Sequence, residues 1–231
     1  MELFDLSGKV AIVTGTSGIL GPIWVETLED AGCEVFRIDI PTYDVTSKHD
    51  VYLAKRECID RYGGVDIIVN NAAIDTPPGS ISSFFGNFEE IMKVNICGAV
   101  NITESFLPHM GQGGVVINIG SIQGNIGACI ENYEDGFEKP VGYNCSKAAL
   151  IQLSRSITTQ YGRYGIRSVT IAFSAYNSGK LPENFIKRFT ETIPLRKTVS
   201  KKSLQTTLLY ACCCPDLAGT QVLVDSGYTS R

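Results

Sequence analysis

KVAIVTGTSGILGPIWVETLEDAG, residues 9–32, decides the fold. KVAIV is a continuous apolar, β-branched run, as expected of a strand covered on both faces. TGTSGILG, residues 14–21, places glycines at 15, 18 and 21. IWVETLEDAG then reads as a helix, and Pro22 stands where an early helical proline is tolerated. Strand, tight glycine turn and helix are the parts of a βαβ unit that brings backbone N–H groups up to a pyrophosphate. The spacing is GxxGxxG rather than GxGxxG, so context has to carry the interpretation.

Working outward, the same alternation continues along the chain. Strands are expected at KVAIVTG (9–15), CEVFRID (33–39), VDIIVNN (65–71), GVVINIG (114–120), IRSVTIAF (166–173) and TQVLVDS (220–226). Helical stretches such as NFEEIMKVNICGAVNITESFLPHM and SKAALIQLSRSITTQYGRYG separate them. Alternation of this kind predicts an α/β, Rossmann-like doubly wound parallel sheet of about six strands, in a single domain over 1–231. Between Asp39 and the DVTS segment at Asp44 only IPTY intervenes. A parallel crossover needs a dozen or more residues, so DVTS is a loop or stub, and the sheet is shortened at its edge after strand 2.

The 231 residues are 44% hydrophobic and 19% charged with a net charge of -4, which gives no basic footprint for nucleic acid. No stretch approaches a membrane span. MELFDLSGKV lacks the pattern of a signal peptide, so a cytoplasmic protein with reduced thiols is expected. The eight cysteines contain no CxxC pair, no metal site is expected, and Cys212-Cys213-Cys214 reads as buried small hydrophobes. Neither His49 nor His109 is expected to be catalytic.

Chemistry gathers at the strand ends. Asp39 lies 24 residues after Gly15, where a carboxylate can accept from both ribose hydroxyls of NAD and repel a 2′-phosphate. Arg37 is expected on the opposite face of the strand, so NAD is read over NADP. In YNCSK (143–147), Tyr143 and Lys147 are i and i+4 on one helix face. A neighbouring ammonium there would pull a phenol toward working pH. Ser121 falls just past one strand, Asn70-Asn71-Ala72-Ala73 ends another, and Asn95 falls inside a helix.

Together, TGTSGILG, Asp39, DVTS, NNAA, Asn95, Ser121, YNCSK, YGRYGIRS and LVDSGYTS resemble the short-chain dehydrogenase/reductase family over essentially the whole chain. The resemblance implies an NAD-dependent oxidoreductase that interconverts a secondary alcohol and a ketone, with a sugar or sugar nucleotide as a candidate substrate. It implies Tyr143 as general acid/base and Lys147 as the group that lowers its pKa and holds the nicotinamide ribose. Ser121 would position the substrate oxygen, and Asn95 would hold a relay water. The implied NAD contacts are Gly15, Ser17, Gly18, Ile19, Leu20, Gly21, Asp39, Asp44, Val45, Asn71, Ala72, Ala73, Tyr143, Lys147, Ser174, Ala175 and Asn177. A homodimer or homotetramer is implied, packed through the helix around 88–110 and the Tyr143 helix, with Ile96, Val100 and Leu150 left over for the interface.

The chain departs from the family pattern in places. Ile19 replaces a glycine of the usual loop. Ser174-Ala175 replaces Pro-Gly, and the added Cβ is expected to redirect that loop. The 22-residue step from Ser121 to Tyr143 includes ENYEDGFEKP, expected as a lobe at the site's mouth. That insertion, the FxNF-then-helix stretch at 85–92 and IQG after Ser121 resemble the surface-sugar and flagellin-glycan branch. A substrate lid is expected over 174–202, with ENFIKRFTETI as an amphipathic helix. Its cations Lys180, Lys187, Arg188, Arg196, Lys197, Lys201 and Lys202 read as a solvated face, with an anion-binding lid as the alternative. Two further alternatives stand: NAD(H) binding with little catalysis, and a dehydratase or epimerase using tightly held NAD.

Overall fold

The computed structural model describes residues 4–77 and 83–230. The first three residues of MELFDLSGKV therefore lie outside the described residues. Six strands, β1 (Val10–Thr14), β2 (Glu34–Ile38), β3 (Val65–Asn70), β4 (Met110–Ser121), β5 (Arg167–Phe173) and β6 (Thr220–Val224), form one sheet. All pairs are parallel, in the order β2-β1-β3-β4-β5-β6. From β1 the chain moves outward to β2 and then crosses to the other side for β3. The ends of β1 and β3 thus mark the switch point at which open α/β sheets bind ligands.

The apolar runs are explained by burial on both faces. Ala11 and Val13 of β1 join Ile67 and Val69 of β3 beneath α1 (Gly21–Asp30) and α7 (Lys201–Cys213). Ile12 and Ile68 join the opposite layer with Ala54 and Cys58 of α2 (Lys48–Tyr62) and with Ile102 and Phe106 of α4 (Ala99–Phe106). Trp24 of α1 is fully buried, stacks on Phe173 with centroids 5.9 Å apart, and donates its indole N–H to Asn71 Oδ1 at 2.8 Å. A buried aromatic of this kind meets its one polar demand while burying a large apolar area.

The short 39–47 connection contains no strand, and β2 is the sheet's edge. Ser47 caps α2 by accepting from Asp50 N at 3.2 Å, and Gly63 closes it in the left-handed conformation. The helical stretch after residue 87 is not one α-helix. α3 (Phe88–Met92) passes through a π-turn at Lys93–Gly98 into α4. α5 (Val141–Tyr161) follows the 122–139 lobe, and α6 (Glu183–Thr192) lies in the segment after β5.

A polar thread ties the sheet to α5. Asn70 Nδ2 donates to Asn118 Oδ1 at 2.9 Å, Asn118 Nδ2 donates to Ser154 Oγ at 2.9 Å, and Ser154 meets Thr170 at 2.8 Å. Buried amides need such partners, and these link β3, β4, α5 and β5 in one register. Leu150, expected at an oligomer surface, is instead 2% exposed, because its turn of α5 faces this sheet. Val100 is exposed and Ile96 is intermediate.

Candidate active site

The glycine loop is packed against itself and against β3. Gly15 has φ +67°, and a Cβ there would lie 2.8 Å from Ala72 Cα. A Cβ on Gly21 would come within 2.2 Å of Gly15 O. These two glycines are needed by the turn's own packing. Gly18 donates its N–H to Gly15 O at 3.2 Å and has a negative φ, so the shifted middle glycine still closes the turn. Ile19 is 48% exposed, and Leu20 packs against the core. α1 has no side-chain cap, so its N-terminal N–H groups suit a pyrophosphate.

Asn71 clamps this loop. Its Nδ2 donates to Thr14 O at 2.9 Å and to Gly15 O at 3.0 Å, while Thr14 Oγ1 accepts from the N–H groups of Asn71 and Ala72, each at 3.0 Å. The Asn71 side chain thus holds the loop rather than projecting into the crevice, and Thr14 is a loop anchor that the sequence did not single out. Ala73 follows as an exposed residue at the same edge. Asp44 accepts from Thr46 N at 2.7 Å. Val45 is buried against Gly98 and accepts from Asn101 Nδ2 at 3.0 Å.

Asp39 sits beside the loop. Its Oδ2 accepts from Ser17 N at 2.5 Å and from Ser17 Oγ at 2.6 Å, and its Oδ1 accepts from Ile40 N at 2.9 Å. The expected placement of Arg37 is corrected. Residues two apart on a strand share a face, and Arg37 lines a cleft of about 440 Å³ together with Thr16 and Ser17. Its guanidinium pairs with Glu29 at 2.5 Å, and Glu26 and Asp30 line the same cleft.

At the other end of the crevice Tyr143, Lys147 and Ser121 come together. Lys147 Nζ donates to Ile119 O at 2.8 Å and lies 5.5 Å from the Tyr143 ring centre. Burial pushes the Lys147 ammonium down to about 8, opposed by the Asp75 carboxylate. The Tyr143 phenol is raised, not lowered: burial acts most, Asp75 adds to it, and the neighbouring Ser121 hydroxyl works the other way. The direction expected from a neighbouring lysine is therefore reversed in this structure, where desolvation and a carboxylate act most.

Asn95 is in the π-turn, as such irregular turns often are at functional positions. Its Oδ1 accepts from Ile74 N at 2.8 Å, and its Nδ2 donates to Ile74 O at 3.1 Å and to Ser146 Oγ at 3.0 Å. Its side-chain amide fixes the loop after β3. That loop carries Asp75, whose Oδ2 meets Lys139 Nζ at 2.5 Å. Neither residue was singled out from the sequence. The one available signal was a single lysine among four acids in ENYEDGFEKP.

Ser174 N donates to Val224 O at 3.3 Å, and Ala175 O accepts from Val199 N at 3.0 Å. Ala175 is absent from the positive-φ positions among the described residues, so its Cβ is accommodated without strain. Ser174 Oγ is buried with no protein partner, a free polar atom at the crevice edge that suits a polar ligand. Asn177 Oδ1 accepts from Gly179 N at 3.0 Å and closes its own turn. The lobe and the 174–202 segment share an apolar cluster of Tyr133, Phe137, Phe185, Phe189 and Tyr228. Several cations of that segment are engaged within the fold: Arg188 donates to Tyr133 O, Arg196 donates to Glu191 O, and Lys201 pairs with Glu26 at 2.7 Å.

All eight cysteines are free, and Cys212, Cys213 and Cys214 are only partly buried. Among the described residues no cluster suited to a metal ion occurs, and no helix is long and apolar enough to cross a membrane.

A family model described as enoyl-(acyl carrier protein) reductase matches residues 24–229. An uncharacterised oxidoreductase of Thermotoga maritima is 26% identical, over 98% of this chain and 99% of its own. A 2-dehydro-3-deoxy-D-gluconate 5-dehydrogenase of Dickeya dadantii is 24% identical, over 100% of this chain and 99% of its own. In fold, a short-chain dehydrogenase of Leptospira borgpetersenii solved with NAD+ superposes with a TM-score of 0.85 at 20% identity, covering 98% of this chain and 95% of that one. A gluconate 5-dehydrogenase of Burkholderia cenocepacia solved with NADP and tartrate gives 0.80 at 21% identity, covering 100% and 98%.

Proposed function

We propose a function on this premise: the chain belongs to the short-chain dehydrogenase/reductase family, and it is an oxidoreductase of that type. Within it, the protein uses NAD to interconvert a secondary alcohol and a ketone on a hydroxyl-rich, sugar-derived substrate. The observation that carries this is the convergence of Tyr143, Lys147 and Ser121 at the strand ends beside the β1/β3 switch point. The sugar-derived substrate is supported by the gluconate-type activity named for a relative that spans the whole chain.

NAD is favoured over NADP by two features. The Asp39 carboxylate stands beside the loop where the adenosine ribose would lie, and Glu26, Glu29 and Asp30 line the adjoining cleft. A 2′-phosphate would meet this negative surface, with the single guanidinium of Arg37 already tied to Glu29. The uncapped start of α1 would hold the pyrophosphate, and Lys147 with Ser174 would hold the nicotinamide end. A bound nicotinamide supplies the hydride donor or acceptor. Tyr143 gives or takes the proton at the substrate oxygen, and Ser121 orients that oxygen. Residues 174–202 and the 122–139 lobe, joined through their aromatic cluster, cover the site as a lid. A cytoplasmic location belongs to the same proposal.

The test is oxidation of a panel of aldonates, free sugars and sugar nucleotides with NAD+, followed at 340 nm. Turnover on at least one member is expected, and Tyr143→Phe should lower kcat by about 10²–10⁴-fold, the range for losing a general acid/base. NADH binding by the variant should stay close to that of the parent. Turnover that survives Tyr143→Phe contradicts the assignment, and NADH binding without any turnover moves the protein to a binding role.

A further inference from the structure

We propose that Asp75 and Lys139 form a charge-balancing pair that sets how readily Tyr143 ionises, so that the phenol answers to two lysines rather than to Lys147 alone. This rests on Tyr143 being the acid–base group.

The pair is built from distant parts of the chain. Asp75 comes from the loop after β3, and Lys139 comes from the last residues of the lobe before α5. They meet at 2.5 Å, with the Lys139 side chain 5% exposed and that of Asp75 33% exposed. The Lys139 ammonium lies 4.6 Å from the Tyr143 ring centre, nearer than Lys147 at 5.5 Å. Asn95 grips both backbone polar groups of Ile74, which fixes the carboxylate one residue on. A lysine this buried persists as a cation only when it is paired, and Asp75 is the partner. Burial pushes the Lys139 ammonium down, and Asp75 counters it.

The direction of the effect follows from counting charge. Around a neutral phenol stand two ammonium groups and one carboxylate. Removing the carboxylate takes away the negative charge that opposes the phenolate and leaves the phenolate as the anion available to Lys139, which favours ionisation. Removing Lys139 leaves a carboxylate opposed to Lys147 and disfavours it. The other groups acting on Tyr143 are the Ser121 hydroxyl from the end of β4 and the Tyr133 phenol of the lobe. α3 packs on this turn of α5 through Phe88 and Ile91 at Gly142, and its two acids, Glu89 and Glu90, are exposed. Glu138, beside Lys139 in the chain, accepts from Phe84 N at 2.8 Å.

The experiment places 3,5-difluorotyrosine at position 143, where its intrinsically more acidic phenol brings ionisation into an accessible pH range. The single-site ¹⁹F shift is then titrated in the full-length protein carrying Asp75→Asn, Lys139→Met, both together, or Lys139→Arg. Asp75→Asn should lower the midpoint by about one pH unit, tenfold in the ionisation constant, and Lys139→Met should raise it by about as much. The double variant, whose net charge equals that of the parent, should return close to the parent midpoint, and Lys139→Arg should preserve it. Circular dichroism and melting identify any variant that fails to fold, and each single variant tests the sign independently. Midpoints within about 0.3 unit of the parent for the folded variants, or both single variants moving the same way, overturn the proposal. No substrate is needed, so missing dehydrogenase activity counts against the proposed function alone, and unmoved midpoints count against the pair alone.

Discussion

Lys147 shows how one residue ties function to stability. Its side chain is almost wholly buried, and its ammonium is held by the carbonyl of Ile119. Its folded pKa of about 8 lies below the ordinary 10.5. Between those values the unfolded chain keeps a proton that the folded chain releases, so this residue makes stability rise with pH across that window. Below about pH 8 the full cost is present, about 3 kcal/mol at 1.36 kcal/mol per unit. Lys147→Met should therefore stabilise the protein at pH 7 by about 1–3 kcal/mol, and should flatten the rise between pH 8 and 10.5, while abolishing turnover. Urea unfolding at pH 7 and pH 10 measures both, and a variant less stable than the parent at pH 7 would contradict the assignment. At this scale Tyr143, Lys147 and Ser121 were legible, because an i/i+4 pair and a strand end are local patterns. Asp75 and Lys139 were not, because their meeting depends on a contact between residues 64 apart in the chain. The side of the strand that Arg37 occupies follows from strand alternation, and the structure places it with the Asp39 loop.

Among the elements, the step from β4 into α5 is the most tightly constrained. A Cβ on Gly124 would lie 2.7 Å from Lys147 C and 2.8 Å from Lys147 O, both backbone atoms that cannot swing aside. The lobe therefore rests directly on the turn of α5 that carries the lysine. Gly124→Ala should cost about 1–3 kcal/mol, as overpacking does, and should lower kcat by about tenfold or more through displacement of Lys147. Melting temperature and steady-state kinetics measured together check this, and an unaffected kcat would show that the lobe and α5 are not coupled. The strands and the glycine turn were readable from apolar runs and spacing. The π-turn at Asn95 was not, because nothing in KVNICG separates it from an ordinary helix until the amide is seen gripping Ile74.

For the whole molecule, the sheet order follows from one short connection. Only a loop fits between β2 and α2, so β2 stays at the edge and the β1/β3 crevice remains beside it. That much was readable from the brevity of IPTY. How the lobe closes on the 174–202 segment was not, because the aromatic contacts of Tyr133 with Phe137 and Phe185, and of Phe189 with Tyr228, join three separate segments. The central claim is a nicotinamide site selective for NAD, and it is tested most directly by titrating the protein with NADH and, separately, NADPH while following nicotinamide fluorescence. NADH should bind at least about tenfold more tightly than NADPH, a difference of about 1.4 kcal/mol. Tighter NADPH binding, or no binding of either, would contradict it.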